Sequence, residues 1–379
     1  MKTICNMTTT HTRYDHRVFL KECITEKQNY EVCLVVSDGK PDEIKDGIHV
    51  YSTPKHKTRL GRAIFSAFQV YRKAKSLKAD IYVFHEHDLL WLALFLKKRN
   101  NFVIWDCHEA YFYDLSLLSG RLKGLRYIIL FLFNVISHIV VRHLDGCITV
   151  CKDIKIWLTN LGCKSCFLLP NYALKREFSS LVSPNYTVNQ RVFFVGAFNS
   201  SRSIHSLVQA IGFCKYKNVK LVLVGCRAKK QYLDYCKQLS GWDQVEYHSG
   251  LTREEWRQKS QTCFAAICAY SYHKKMGASR VKLYEYMACS LPIIFATSIS
   301  NDVHENLLNN DGHPLGLVVD SDPQAIANAI DYLYENKEVA RTMGMNGRKA
   351  FETKYNFESK ADGFLKFLEE VSQSKNQNK

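Results

Sequence analysis

Short apolar runs alternate with helical patterns along this chain, and they do so twice. That alternation limits the possible folds more than any other feature. Thr3–Met7, Glu31–Val36, Ile81–Phe84, Phe102–Trp105 and Cys147–Val150 read as strands. Helical patterns lie between them near Asp15–Gln28, Arg59–Leu77, Leu89–Arg99, Arg121–His143 and Asp153–Leu161. Such alternation predicts a parallel sheet covered by helices. The pattern stops at Leu168-Leu169-Pro170-Asn171, and the weakly patterned stretch Tyr172–Gln190 reads as a linker. It restarts with strands at Arg191–Val195, Val219–Gly225, Thr262–Cys268, Pro292–Phe295 and Gly316–Val319. Helices follow at Ala325–Glu335 and Val339–Thr353, and Phe357–Val371 sets Phe364, Phe367 and Leu368 on one face. The expected class is α/β: two doubly wound, Rossmann-like domains facing a cleft, with ligands at the carboxyl ends of the strands. A length of 379 residues fits two domains. The boundaries expected are 1–170, 171–356 and a closing helix at 357–379 that packs back toward the first domain and ends in a frayed tail.

Composition narrows the partners. Lys and Arg exceed Asp and Glu by 16, a surplus that suits nucleic acid, anionic lipid or a phosphorylated small molecule. No nucleic-acid module is legible, so no nucleic-acid partner is expected. The chain opens Met1-Lys2-Thr3-Ile4-Cys5 without a secretory pattern, which leads to the expectation of a cytoplasmic protein with reduced thiols. Among 14 cysteines the tightest group is Cys147, Cys151, Cys163 and Cys166. Zinc is one reading of that spacing. Small buried hydrophobes are the better one, because Cys147 sits in an apolar run. Ile128–Val141 is apolar but 14 residues long, short of the ~20 that a membrane span needs. It reads as a buried or interfacial helix.

The most informative segment runs from Ser279 through Lys282 and Glu285 to Leu291-Pro292-Ile293-Ile294. A helix starting near Ser279 would offer free amides and a positive dipole end to an anion. Lys282 and Glu285 are three apart and share a helix face. A cation in the first turn opposes the dipole, which makes sense beside a phosphate, and Glu285 suits a ribose diol. Spacing alone rather favours a plain surface ion pair.

The stretch Lys282 to Ile294 resembles the donor-site signature of retaining glycosyltransferases of family 4, which have the GT-B fold. Other pieces resemble that family in the same order: Asp15-His16-Arg17 before the first helix, Asp106-Cys107-His108-Glu109, Leu169-Pro170-Asn171, the Gly turns Val195-Gly196 and Val224-Gly225, and the closing helices from Gly344 to Phe357. The resemblance implies an acceptor-binding first domain and a second domain that holds a UDP- or GDP-sugar as substrate, with no cofactor and no metal. Glu285 would accept from the ribose hydroxyls. Lys282 and Arg202 would face the diphosphate, aided by Gly196, Gly225 and the backbone of Gly277-Ala278-Ser279. Fixed cations would neutralise the leaving diphosphate. His108 would approach the donor sugar and diphosphate, and Glu109 would orient the acceptor or a helix terminus. The position of a second family Glu is Gly277, so the specific sugar is not carried over. A non-catalytic GT-B-like subunit of a glycosyltransferase complex is the alternative.

Competing motifs are weaker. Cys107 as a nucleophile lacks a placed base. His85-Glu86-His87-Asp88 reads as a cleft loop or cap rather than a metal site. Asp320-Ser321-Asp322 precedes Pro323 and reads as a helix cap. Finally, Gly47–Ala79 and Leu115–Leu144 contain no acid. Lys55, Lys57, Arg59, Arg62, Arg121, Lys123 and Arg126 lie in these stretches among apolar residues, as suits an anionic membrane surface. The expected enzyme is peripheral at the inner face of the cell membrane and uses a lipid-linked or saccharide acceptor.

Overall fold

The computed structural model describes residues 1–109, 125–225, 227–269, 281–297 and 309–373, with the side chains of Arg59, Leu125 and Arg126 outside that description. Among these residues the chain forms two units. The first takes Met1–Asn171 and the chain from Lys360 on; the second runs from Tyr172 to Ser359.

The first unit is built on an eight-stranded sheet of order β3-β4-β2-β1-β5-β6-β7-β8. Its strands are β1 (Thr3–Thr8), β2 (Glu31–Val36), β3 (Glu43–Lys45), β4 (Ile48–Ser52), β5 (Ile81–Phe84), β6 (Phe102–Cys107), β7 (Gly146–Thr149) and β8 (Cys166–Leu168). All pairs are parallel except β3 with β4, which Asp46 and Gly47 join through left-handed φ values of 52° and 76°. An Asp-Gly pair is the strongest short signal for such a hairpin. The strand order reverses at β1, between β2 and β5. Trp105 and Phe84 stack 5.9 Å apart in the core above this sheet. The register of β7 and β8 sets Cys147 opposite Cys166, which brings two of the four clustered cysteines together.

The second unit has a six-stranded, wholly parallel sheet of order β11-β10-β9-β12-β13-β14. The strands are β9 (Arg191–Val195), β10 (Lys220–Gly225), β11 (Val245–Ser249), β12 (Ala265–Ala269), β13 (Ile293–Ala296) and β14 (Gly316–Val319). Here the order reverses at β9. Asp322 accepts from the amides of Gln324 and Ala325 ahead of Pro323, so it caps the helix Pro323–Glu335.

The helix Glu358–Gln373 belongs almost wholly to the first unit. Phe367 stacks on Phe167 at 5.5 Å, Phe364 lies 6.4 Å from the same ring, and Lys2 donates to Ser372. Four strands among the described residues escape the sequence reading, one of them β4 at Ile48–Ser52. The others are β3 and β8, each of three residues, and β11, whose residues are half-buried or exposed. The helical pattern at Asp15–Gln28 becomes a wide π-type turn at Val18–Cys23 followed by Ile24–Glu26.

Candidate active site

In doubly wound sheets, ligands bind beyond the carboxyl ends of the strands where the order reverses. Each unit places a polar cluster there.

In the first unit the carboxyl ends of β1, β5 and β6 surround a buried guanidinium. Asp15 accepts from the amides of Arg17 and Val18 at 2.8 and 3.0 Å, capping the turn and sending Arg17 inward. Arg17 meets Asp106 through Nε at 3.1 Å and Nη2 at 2.9 Å, a bidentate pair. It also reaches Glu22 at 2.8 Å, the carbonyl of Leu169 at 3.0 Å and Asn171 at 2.6 Å. The motifs Asp15-His16-Arg17, Asp106-Cys107-His108 and Leu169-Pro170-Asn171 therefore meet at one side chain. Asp106 Oδ2 also faces His85 Nδ1 at 3.1 Å and His108 Nε2 at 2.5 Å. Burial opposes the charge on Asp106, but Arg17 and His108 outweigh it and hold the carboxyl well below its ordinary range. Burial draws His108 down to about 4, which leaves its imidazole neutral near pH 7.

Below this layer His85 Nε2 lies 3.0 Å from Asn6 Oδ1, and Asn6 donates to Glu26 at 2.6 Å. Glu86 gathers the amides of Thr9 and Thr10 and the hydroxyls of Thr8 and Thr10, so it ties the end of β1 to the end of β5. His85, Asp106 and His108 bring their donor atoms within 4.8 Å of one another, a set that could hold a metal ion. Arg17 Nε stands 3.0 Å from His108 Nε2 and 3.1 Å from Asp106 Oδ2, so a guanidinium already supplies positive charge at those atoms. Cys107 is buried and its thiol is pushed well up by burial, the reverse of an activated nucleophile. Glu109 is exposed.

In the second unit, Gly196 follows β9 directly and Gly225 ends β10. A Cβ on Gly225 would lie 2.3 Å from the carbonyl oxygen of Gly196, so the two turns approach too closely for a side chain. Arg202 closes the turn Ser200–Arg202, and Ser203, at φ 50°, starts the helix Ile204–Phe213. Lys282 and Glu285 sit on the helix Val281–Ala288, which follows β12. Its Tyr286 hydroxyl accepts from the amide of Val195 at 3.1 Å, fixing the helix against the end of β9.

Glu285 is fully buried, so the plain surface pair does not describe it. Lys282 Nζ lies 3.2 Å from Oε2, and Arg253 Nη1 lies 2.9 Å from Oε1. Arg253 also pairs with Glu177 at 2.7 Å. Both cations lie over Trp256, at 5.8 and 5.6 Å from the ring centre. Burial opposes the charge on Glu285, yet Lys282 and Arg253 prevail and keep it ionised. The capping box of Thr252 and Glu255 puts Arg253 at the first position of the helix Arg253–Ser260, where a cation opposes the dipole. The carboxylates of Glu285 and Glu177 compensate.

Gly277, Ala278, Ser279, Arg121 and Lys123 lie outside the described residues, as do the side chains of Arg59 and Arg126. Lys55 and Lys57 are exposed, whereas Arg62 is tied to Asp88 at 2.6 Å. Sequence reasoning missed Arg253 and the central place of Arg17, and it read His85 as part of a cleft loop or cap without its contact to Asp106. The only signal for Arg253 was the Thr-x-x-Glu spacing around it.

Comparison with known proteins agrees with this geometry. A family described as "Glycosyl transferases group 1" matches residues 176–350, and "Glycosyltransferase Family 4" matches residues 25–171. The capsular polysaccharide biosynthesis glycosyltransferase CapM of Staphylococcus aureus is 22% identical over 375 residues, 87% of each chain. Sucrose-phosphate synthase from Thermosynechococcus elongatus superposes with a TM-score of 0.78 at 15% identity, over 99% of this chain and 100% of that one. Anabaena HepE in complex with UDP and glucose gives 0.69 at 13% identity, over 97% and 100%. With one family description matched in each of its two parallel-sheet units, this chain is a glycosyltransferase of the family 4 type, with the GT-B fold.

Proposed function

We propose that the protein transfers a sugar, with retention of anomeric configuration, from a UDP- or GDP-sugar to a lipid-linked or saccharide acceptor in the biosynthesis of a surface polysaccharide or related glycolipid. The observation that carries this reading is the buried, ionised Glu285. It is held between Lys282 and Arg253 on a helix fastened to the end of β9. An ionised carboxylate in that place is an acceptor for the two hydroxyls of a ribose. Lys282, Arg202 and the amides of the Gly196 and Gly225 turns serve the diphosphate. They offset the charge that grows on it as the glycosidic bond breaks, without a metal. In the first unit, neutral His108, oriented by Asp106, is assigned to the sugar and diphosphate. Glu109 is assigned to the acceptor. CapM and the UDP-bound HepE structure support the polysaccharide setting and the donor class. The enzyme works peripherally at the inner face of the cell membrane.

A thermal-shift screen against UDP-, GDP-, ADP- and TDP-sugars tests the donor site. A ligand at 100 times its dissociation constant adds about 2.7 kcal/mol to the native state. One nucleotide class should stabilise the wild type, and Glu285→Gln should lose most of that shift while keeping its fold. No response to any nucleotide-sugar, or an equal response in the variant, overturns the assignment. Transfer that survives a chelator supports the metal-free chemistry; transfer abolished by it and restored by a divalent ion refutes that part.

A further inference from the structure

The helix Leu125–His143 has no Asp, Glu, Lys or Arg between Arg126 and Arg142. A surface helix ordinarily puts its charges on the face turned away from the core. This one does bury one side: Ser137, Val140 and Val141 are inside, and Phe133 packs on the core of the first unit. Its other side is apolar too, and open. Phe131 is 67% exposed and Leu132 51%. The helix Leu90–Leu96 packs against it, and the helix Ala67–Leu77 packs against that one. These neighbours carry exposed apolar side chains of their own, Phe95, Trp91, Phe68 and, from the preceding turn, Phe65. Trp91 donates to the carbonyl of Ala63, which links the second helix to that turn. So many exposed large apolar side chains on three helices packed in series are what an interaction surface carries.

We infer that this face docks the first unit on an anionic lipid bilayer, with its aromatic side chains entering the headgroup and acyl boundary. The docking rests, for its purpose, on the proposed lipid-linked acceptor. Charge complementarity selects the occupant. The segments 47–79, 89–99 and 125–144 contain no acidic residue, and Arg72, Lys98, Arg99 and Arg142 are exposed on them. Apolar side chains bordered by cations are the chemistry of an interfacial anchor. A second copy of the chain would bring two cationic borders together, which costs free energy. No described helix is long and apolar enough to cross a membrane, so the contact lies in the interface.

Cosedimentation with vesicles tests this, using phosphatidylcholine alone or with about one-third phosphatidylglycerol. The wild type should bind the anionic vesicles at least about tenfold more tightly than the neutral ones, and high salt should weaken binding without abolishing it. The double variant Phe131→Glu, Leu132→Glu should lose about tenfold or more of that binding. It should keep the wild-type melting temperature and nucleotide-sugar shift, which separates loss of docking from loss of the donor site. Should that variant fold poorly, Phe95→Gln at the exposed edge provides the same comparison with less perturbation. Indifference of the wild type to anionic vesicles overturns the inference. So does binding that the face variants leave intact, or a wild-type dimer that the variants dissociate while vesicles leave it unchanged.

Discussion

Some side chains in this protein are held in the ionisation state opposite to their ordinary one, and Glu26 makes the energetic consequence measurable. It is fully buried, its nearest partner is the amide of Asn6 at 2.6 Å, and burial pushes it from 4.5 up to about 8. The native state therefore keeps the proton through a range in which the unfolded chain releases it. A carboxyl raised in this way costs no stability below pH ~4.5 and removes stability progressively as the pH rises toward 8. Glu26→Gln keeps an acceptor for Asn6 and abolishes the titration. The variant should match the wild type near pH 4.5 and melt at least about 3 °C higher at pH 8, with a flatter profile between. Parallel melting profiles for the two proteins across that range would show that Glu26 does not titrate with folding. Glu285 is the contrasting case: equally buried, but kept charged because Arg253 and Lys282 stand beside it.

At the scale of elements, the donor-side geometry depends on two turns that touch. Gly225 ends β10 so close to the carbonyl of Gly196 that an added Cβ would lie 2.3 Å from it, and backbone cannot yield as a flexible side chain would. Gly225→Ala should cost about 1–3 kcal/mol in stability. It should also weaken the nucleotide-sugar shift disproportionately, because the amides of both turns move apart. A variant of wild-type melting temperature and unchanged ligand response would mean that the turns are not set by this contact. The same elements show what could be read beforehand. The buried parallel strands were legible because both their faces are covered, which leaves near-continuous apolar runs. The half-exposed run Val245–Ser249 and the three-residue edges were not, since neither periodicity nor length marks them. Lys282 and Glu285 were legible because local spacing puts them on one helix face. Arg253 reaches the same carboxylate from a distant helix, and a contact made by the fold leaves no trace in local pattern. The open apolar face of Leu125–His143 looked from sequence like a buried or interfacial helix, because hydropathy does not say which sides of a helix are covered.

At the scale of the whole molecule, the chain leaves the first unit after Asn171, builds the second, and returns from Lys360 to finish the first. The returning helix completes the first unit's core rather than decorating it. Phe364 is fully buried, lies against Phe167 with Phe367, and Gly146 of β7 is so near the Phe367 ring that a Cβ there would be 2.9 Å from it. Phe364→Ala should cost about 3–5 kcal/mol. For units of this size each kcal/mol lowers the melting temperature by about 2–4 °C, so a fall of roughly 6–20 °C is expected. In calorimetry only one of two transitions should move, and nucleotide-sugar should raise the other. That donor-responsive transition reports the second unit, whose core contains none of these side chains. A shift in the donor-responsive transition would show that the returning helix stabilises the second unit. A single transition lowered as a whole would show that the two units unfold together despite their separate cores.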